Sequence, residues 1–414
     1  MNQPKVHFRN ACRLCGSTSL QRFLHLPEMP FTDDFITPEA LGSEFRADID
    51  VFICTSCLSA QTQHDVDVGD YYEDYQYSVG GSSTASRFMR ILAENTVARF
   101  PASSDSRKVL EVGSGDGEQL VAFKNTGCRV LGYEPSSVLC KVAEAKGIPT
   151  IQGLFTADSI HQLPDEFKEV DVVMLSYTFD HLPDPRAFTA AARDILNKDH
   201  GLLIVEIHNL EKIIERQEYC LFEHEHSIYL TEASVTQLCA LEGLTVIDFD
   251  LVPEADRRAN SLIFVATPNE SKLAARAVKP STPDAFNHLD HYSLIGANIT
   301  SAIQNLDRFV DQMTADGKTL AGYGAGGRGV MTLAAMRSAP KLKYLVDKKP
   351  KRPGLVAPKS GVPLVSLDEL ASNPVDAILV FSFGYIDEIR REVSALGYQP
   401  GQFYSLLDVL AGRF

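Results

Sequence analysis

The sequence has no tryptophan, no apolar run close to the ~20 residues that a membrane-spanning helix needs, and a deficit of positive charge. Lys and Arg number 39 against 54 Asp and Glu, so the formal net charge is -15. A surface that follows phosphate groups needs the opposite sign, which argues against a nucleic-acid partner. The polar start of the chain lacks the apolar stretch of a secretory signal. We therefore expect no membrane association and a cytoplasmic protein.

The chain has enough apolar material for several cores, with 44% hydrophobic and 22% charged residues among 414. At about 150 residues per domain, this length predicts two or three domains. Residues 1–66 suggest a small module around paired cysteines, and residues 67–268 alternate apolar strands with helical periods. After a linker rich in Pro, Ser, Lys and Ala, residues 285–414 show a second alternation. The predicted fold class is therefore α/β, with parallel sheets and a small N-terminal module.

Four of the eight cysteines have a spacing that metal sites use. They form the pairs Cys12/Cys15 and Cys54/Cys57, with 38 residues between the pairs. Two such turns supply four thiolates, which fill the tetrahedral shell of a zinc ion and leave no position for water. We predict a structural zinc site, with two redox pairs or plain buried cysteines as the alternatives. The remaining four are expected to be inert core thiols: Cys128, Cys140, Cys220 and Cys239.

A glycine-rich loop follows a predicted strand at residues 109–112 and precedes a predicted helix that begins near residue 118. The third glycine comes too early for a dinucleotide fingerprint. The loop is flanked by carboxylates, which would repel a phosphate and suit a cationic ligand. We predict a cofactor site made of Glu111, Gly113, Gly115, Asp116, Gly117, Glu134 and Ser176. Glu134 ends the next strand, where it can accept hydrogen bonds from ribose hydroxyls. A dinucleotide, or a turn with no ligand, are the alternatives.

The densest polar cluster is Phe-Glu-His-Glu-His-Ser-Ile-Tyr at residues 222–229. In an extended segment, His224 and His226 would share one face and the two glutamates the other. An imidazole oriented by a carboxylate is a plausible general base near neutral pH, so we predict that Glu225 orients His226. A second metal site and a solvated loop are the alternatives. His181 follows the fourth predicted strand and is expected to open onto the same crevice.

Two further segments suggest substrate contacts. Four tyrosines lie within residues 71–78, where Tyr75 and Tyr77 could form a lid; a packed hinge is the alternative. In the C-terminal part, a glycine loop at residues 322–329 precedes a cluster of Lys and Arg. We predict that this region meets a diphosphate, with a solvated basic loop as the alternative. The candidate residues there are Gly324, Arg328, Lys349 and Arg352.

The run Glu-Val-Gly-Ser-Gly-Asp-Gly with its downstream glutamate resembles motif I and the acidic loop of class I S-adenosylmethionine methyltransferases. The whole chain resembles a bacterial family of sugar C-methyltransferases that act on nucleotide-linked 4-keto-deoxysugars. The resemblance implies an N-terminal zinc-binding module, a Rossmann-like class I methyltransferase core and a C-terminal Rossmann-like α/β domain. It also implies S-adenosylmethionine and a structural Zn²⁺ as cofactors.

The resemblance implies roles for particular residues. His226 matches the proposed base of the family's Tyr-His-Glu-His segment, and His224 and Glu225 match its neighbours. His181 and the Tyr75/Tyr77 lid match as well, with Tyr77 offered as a catalytic hydroxyl. Glu223 stands where the family has tyrosine, and the chain has Phe-Gly at residues 383–384 in place of Trp-Asn. These departures bear on substrate identity, and Glu223 itself becomes a candidate substrate contact.

The expected activity is therefore C-methylation of a nucleotide-linked keto-deoxysugar. The alternatives are an O- or N-methyltransferase of a small metabolite, a non-catalytic S-adenosylmethionine-binding protein, and an NAD-dependent oxidoreductase that uses the second glycine loop. The partner would be a nucleotide sugar or a related small molecule. Whether the protein is a monomer or a homo-oligomer stays open.

Overall fold

The N-terminal segment forms two small antiparallel sheets in the computed structural model, which describes residues 4–32, 34–66, 83–100, 106–258, 260–348 and 354–414. The strands are β1 (Val6–Phe8), β2 (Leu20–Met29), β3 (Ala47–Cys54), β4 (Ala60–Thr62) and β5 (His64–Val66). β1 pairs with β5, while β2, β3 and β4 lie side by side. The cysteine pairs lie at the start of this segment and at the turn between β3 and β4.

The central part is a seven-stranded sheet with helices around it. Its elements are α1 (Ser83–Arg99), β6 (Lys108–Val112), α2 (Glu118–Asn125), β7 (Arg129–Glu134), α3 (Ser137–Ala145), β8 (Thr150–Gln152), β9 (Val172–Ser176), α4 (Pro185–Ile195), β10 (Leu202–His208), α5 (Leu210–Glu215), β11 (Ile228–Tyr229), α6 (Glu232–Leu241), β12 (Leu244–Asp248) and β13 (Ser261–Pro268). The strand order is β12-β13-β10-β9-β6-β7-β8, and only β13 runs antiparallel to its neighbours. This is the class I methyltransferase arrangement that the resemblance implied.

The sequence explains why these segments form a covered sheet. The central strands are near-continuous apolar runs, as expected for strands that are buried on both faces. β9 and β10 are almost entirely buried along their lengths. Thr231 caps the N-terminus of α6: its side chain accepts a hydrogen bond from the Ser234 backbone N–H in a capping box. β11 leaves the central sheet and pairs with β4 of the N-terminal sheet.

The C-terminal part is a five-stranded, wholly parallel sheet. Its elements are α7 (Leu289–Ala315), β14 (Leu320–Tyr323), α8 (Gly327–Ala335), β15 (Tyr344–Asp347), β16 (Leu364–Ser366), α9 (Leu367–Ser372), β17 (Ala377–Val380), α10 (Ile386–Ser394), β18 (Phe403–Ser405) and α11 (Leu406–Leu410). The order is β16-β15-β14-β17-β18. The expected strand-helix alternation is confirmed, although the sequence analysis did not identify the short strand β16.

The long helix α7 links the N-terminal and C-terminal parts through one shared core. Phe23 of β2 packs against Tyr292 of α7 with ring centroids 5.6 Å apart, and both belong to a buried cluster that includes Leu379 of β17. Gly296 lies where α7 meets β2, because a Cβ atom there would stand 2.7 Å from the Phe23 carbonyl oxygen. Within the described ranges, no helix is both long and apolar enough to cross a membrane.

This contact predicts that Gly296→Ala lowers the free energy of unfolding, opposite to the usual effect of replacing a glycine inside a helix by alanine. Alanine in place of glycine inside a helix normally stabilises by about 1 kcal/mol. Here the added methyl group collides with backbone, so we expect the free energy of unfolding to fall by about 1–3 kcal/mol. Urea denaturation measures it. Gly401→Ala is the control, since the Cβ position there meets nothing within 4 Å. A stabilised Gly296→Ala variant would contradict the close packing of α7 on β2.

Candidate active site

The loop between β6 and α2 has the conformation that only glycine adopts easily. Gly113, Gly115 and Gly117 have φ values of 69°, 53° and 78°. A Cβ atom on Gly113 would lie 2.3 Å from Thr178 Oγ1, so this loop touches the segment that follows β9. Glu134, at the end of β7, accepts hydrogen bonds from the backbone N–H groups of Gly115 and Ser136, each at 2.8 Å. The predicted glycine loop and its acidic partner are therefore adjacent.

Glu111 and Asp116, the two carboxylates that flank the loop, are both buried. Burial raises the pKa of Glu111 well above its usual value, and nearby Asp116, Glu134 and Glu206 raise it further. Glu111 Oε2 makes no hydrogen bond within the described part of the chain. Asp116 forms an ion pair with Lys146 at 3.3 Å. Asp116 therefore has a cation beside it, and a buried carboxyl oxygen of Glu111 remains for a ligand to satisfy.

Ser176 has a different set of partners from the one expected. Its Oγ donates to Glu206 Oε2 at 2.5 Å and accepts from Arg258, which also contacts Glu206. The guanidinium of Arg258 lies between the rings of Phe88 and Tyr177, 4.7 Å from each centroid. No local pattern in the sequence indicates Arg258 and Glu206, because their pairing depends on the antiparallel return of β13.

The histidine segment forms a tight turn and is not extended. The His226 backbone N–H donates to the Glu223 carbonyl at 3.3 Å, and His226 Nε2 lies 3.7 Å from Glu223 Oε2. His226 Nδ1 is 2.8 Å from the Leu221 carbonyl oxygen. Since a carbonyl only accepts, Nδ1 donates to it, and Nε2 is the ring nitrogen that remains to accept a proton. The prediction that His224 and His226 share a face is wrong.

His224 points away from His226 and into the N-terminal sheet. Its Nε2 donates to the Met29 carbonyl at 2.8 Å, and its Nδ1 lies 3.0 Å from His64 Nε2. The ring also packs edge-on against Phe31 and Phe45. Both ring nitrogens thus have structural partners, which does not agree with the predicted catalytic role of His224.

Glu225 does not orient His226 as predicted. Its Oε1 accepts a hydrogen bond from Thr32 at 3.0 Å, while Oε2 makes none within the described residues. Burial raises the pKa of Glu225 to about 7, and nearby Glu223 adds to the shift. A carboxyl group with such a pKa can donate or accept a proton at neutral pH.

The N-terminal sheet holds this segment in place. Thr62 Oγ1 donates to the His226 carbonyl at 3.1 Å, and β11 pairs with β4 directly after it. On the other side, the Ser227 backbone N–H donates to the Asp180 carbonyl at 2.7 Å. The segment is therefore fixed between the cysteine module and the loop that follows β9.

Three imidazoles and one carboxylate meet beside it. The ring centroid of His226 lies 4.8 Å from that of His181 and 5.0 Å from that of His208. Asp180 Oδ2 lies 2.6 Å from His208 Nδ1. Burial lowers the pKa of His181 to about 3 and that of His208 to about 4, so both rings are neutral at pH 7. The sequence analysis expected His181 here but missed Asp180 and His208.

Part of the C-terminal domain reaches the same region. Arg328 Nε lies 3.5 Å from Glu218 Oε2, and its guanidinium packs over Phe383 at 5.1 Å. A Cβ atom on Gly327 would lie 2.9 Å from Glu223 Oε1, so a carboxylate occupies the N-terminus of α8 where we had expected a diphosphate. Gly324 has φ of 107° and no room for a side chain beside Ser382. The remaining predicted residues lie outside the described ranges: Tyr75, Tyr77, Lys349 and Arg352.

The four predicted metal ligands come together. The Sγ atoms of Cys12 and Cys57 are 3.6 Å apart, as are those of Cys15 and Cys54, and all four lie within 4.8 Å of one another. Tetrahedral zinc with Zn–S bonds of about 2.3 Å needs sulfur separations of about 3.8 Å. The cluster therefore fits a structural zinc ion. Cys12 and Cys54 also pack in the core of the central domain, so the ion would anchor the module to that core.

Comparisons with known proteins agree with this architecture. A putative zinc binding domain matches residues 12–72, a methyltransferase domain matches 85–248, and a C-methyltransferase C-terminal domain matches 265–407. C-methyltransferase NovU of Streptomyces niveus is 26% identical over 391 residues, which cover 91% of this chain and 90% of that protein. Uncharacterized methyltransferase ML2584 of Mycobacterium leprae (strain TN) is 33% identical over 108 residues, 24% of this chain and 40% of its own.

Among solved structures, the PH0226 protein of Pyrococcus horikoshii OT3 aligns with a TM-score of 0.37 at 17% identity. The alignment covers 48% of this chain and 98% of that one.

Removal of one zinc ligand should empty the metal site and weaken the fold. We expect Cys54→Ser to bind much less than the one zinc ion per chain expected of the wild type. Its free energy of unfolding should fall by about 4 kcal/mol or more, since loss of a metal belongs to the most damaging changes. Metal analysis and denaturation measure both. Cys128→Ser, which alters a buried thiol outside the cluster, should keep its zinc. Full zinc content in Cys54→Ser would contradict the assignment.

The glycine loop allows a test of cofactor binding. Gly113→Ala would place a methyl group on Thr178 in a left-handed backbone, so the loop must move. We expect the affinity for S-adenosylhomocysteine, measured by calorimetry, to fall at least about tenfold. Gly127→Ala introduces similar strain at φ of 89° with nothing within 4 Å, and should bind normally. Equal losses in both variants would show that strain alone, and not this loop, is responsible.

Proposed function

We propose that this chain methylates a carbon atom of a nucleotide-linked keto-deoxysugar. It belongs to the S-adenosylmethionine-dependent methyltransferases that combine a zinc-binding domain, a methyltransferase domain and a C-methyltransferase C-terminal domain. One observation carries the proposal: a buried imidazole, His226, is fixed through Nδ1 by the Leu221 carbonyl and packs against His181, in the loop that touches Gly113. Carbon methylation needs such a base, because a carbon acid must lose a proton before it can attack.

In the proposed mechanism, the ketone makes the adjacent C–H bond acidic. His226 Nε2 takes the proton, and the electron pair of the C–H bond forms an enolate. S-adenosylmethionine, when bound, would supply the electrophilic methyl group: a carbon–carbon bond to the enolate carbon forms, the S–CH3 bond breaks, and its electron pair stays on sulfur in S-adenosylhomocysteine. Glu225 or His181 can donate a hydrogen bond to the enolate oxygen, an effect worth about 3 kcal/mol for one well-placed donor. Glu134 and the glycine loop would hold the ribose of the cofactor and thereby position its methyl group.

The polarity of the region supports a substrate rich in oxygen atoms. Asp180 Oδ1 and Glu225 Oε2 are buried, and neither makes a hydrogen bond within the described part of the chain. Buried polar atoms in native proteins nearly always have partners, so a bound ligand is expected to complete them. Sugar hydroxyls offer suitable donors to such oxygens. NovU, whose name says that it is a C-methyltransferase, matches along nearly the whole chain and supports transfer to carbon.

The proposal predicts hydrogen exchange without methyl transfer. In D₂O with S-adenosylhomocysteine, the wild type should replace the α-hydrogen of a nucleotide-linked keto-deoxysugar by deuterium. His226→Asn keeps an N–H donor for the Leu221 carbonyl but lacks Nε2, so the exchange rate should fall by about 10²–10⁴-fold. Proton NMR of the sugar measures the rate.

His200→Gln serves as the control, because His200 pairs with Asp171 next to the amino end of β9, at the opposite edge of the sheet. It should exchange at the wild-type rate. Equal exchange in wild type and His226→Asn would show that another group is the base. Methyl transfer to a substrate that never exchanges would favour an O- or N-methyltransferase, and cofactor binding without any turnover would favour a non-catalytic protein.

A further inference from the structure

Asp180 and His208 form a carboxylate–imidazole pair that the mechanism above does not use. Asp180 follows β9 and His208 ends β10, so the pair forms at the carboxyl edge of two adjacent strands. Their side chains meet at 2.6 Å between Oδ2 and Nδ1. Two ligands at 2.0–2.1 Å from one tetrahedral metal ion would lie about 3.3 Å apart. The separation is therefore that of a hydrogen bond, unlike the cysteine cluster, whose spacing suits zinc.

The chemistry of the pair determines where its proton lies. Burial raises the pKa of Asp180, but the hydrogen bond from His208 and the three neighbouring imidazoles outweigh it and hold the pKa well below its usual value. A carboxylate only accepts hydrogen bonds, so His208 Nδ1 donates and Nε2 carries the lone pair. The carboxylate fixes the tautomer and stabilises any imidazolium that forms on His208.

His226 and His208 differ in their access to water. The side chain of His226 is 3% exposed, whereas that of His208 is 13% exposed. A base that takes a proton in a closed site must lose it again before the next turnover. The neighbouring ring of His208, 5.0 Å away between centroids, is the more solvent-accessible of the two. Transfer between the rings can be direct or can pass through one water molecule.

We propose that His208, held by Asp180, is a proton relay that takes the substrate-derived proton from His226 and passes it to solvent. The inference rests on the proposed function, in which His226 is the base. In the relay step the N–H bond at His226 Nε2 breaks, its electron pair stays on His226, and an N–H bond forms at His208 Nε2. His208 then gives the proton to water, and both rings return to neutral. Burial lowers the pKa of His208 to about 4, so its protonated form is short-lived, as a relay requires.

The groups that face His226 define the competing routes. Glu223 Oε2 lies 3.7 Å from His226 Nε2 and its side chain is 10% exposed, so it offers a second exit. Glu225 lies close enough to His226, and Arg328 close enough to His208, for their charges to interact. The ring of His181 packs against the ring of His226. The variant Glu223→Gln therefore belongs in the test.

The test separates the chemical step from proton release. His208→Asn keeps an N–H donor for Asp180 and removes only Nε2, and Asp180→Asn removes the carboxylate. With enzyme in excess, a single turnover of methyl transfer needs no proton release, so its rate in His208→Asn should stay within about twofold of wild type. Exchange of the α-hydrogen with D₂O needs release, because a trapped proton returns to the same carbon. The exchange rate should fall by about 10–100-fold in His208→Asn and in Asp180→Asn, and should equal the wild-type rate in His200→Gln.

Several results would overturn the relay. Equal losses in single turnover and exchange would make His208 the base itself or a structural residue, and unchanged exchange would leave it no role. Slow exchange in Glu223→Gln, with normal exchange in His208→Asn, would assign the exit to Glu223. A second zinc ion per chain that is absent from His208→Asn would make the cluster a metal site. Failure of the proposed function would give a different result. Either the wild-type protein would show no exchange of the α-hydrogen, or His226→Asn would exchange it at the full wild-type rate.

Discussion

The parallel register of β9 and β10 is the constraint on which the site depends. Leu202 lies opposite Val172 and Glu206 opposite Ser176, so β10 runs on to His208 beside the segment that follows β9. The residues that follow β9 and the last residue of β10 therefore meet at one point of the sheet edge. Backbone pairing of the two strands brings Asp180 and His208 together, although no sequence motif includes both residues. The glycine loop after β6, one strand further along, completes the edge through Thr178.

The other modules give this edge its closed environment. The cysteine module contributes β4, which pairs with β11 and fixes His226 through Thr62. The C-terminal domain contributes α8, whose first residues face Glu223, and Arg328, which faces Glu218. Ionisable groups rarely remain buried without partners, and their desolvation is costly. A concentration of buried ionisable groups, several of which have an atom that makes no hydrogen bond within the described residues, is typical of a functional site. In the proposed mechanism, zinc would act at a distance from the chemistry, by fixing the module that holds His226 in place.

Local patterns in the sequence predicted much of this architecture. The apolar run before Gly113 became β6, the glutamate that ends the next strand reached the loop, and two cysteine pairs converged, because each signal lies within a few residues of chain. Contacts that depend on register or on packing between domains could not be predicted. Arg258 meets Glu206 only because β13 returns antiparallel beside β10. The Glu225 prediction failed because a turn at residues 223–226 replaced the extended backbone that the argument assumed.

The central claim is that the transferred methyl group becomes bonded to carbon. The most direct measurement uses S-adenosylmethionine labelled with ¹³C in its methyl group and a nucleotide-linked keto-deoxysugar labelled with ¹³C throughout the sugar. The account predicts a one-bond carbon–carbon coupling between the new methyl carbon and a sugar carbon next to the ketone in the NMR spectrum of the product. A labelled methyl signal that lacks this coupling and shows attachment to oxygen or nitrogen would contradict it.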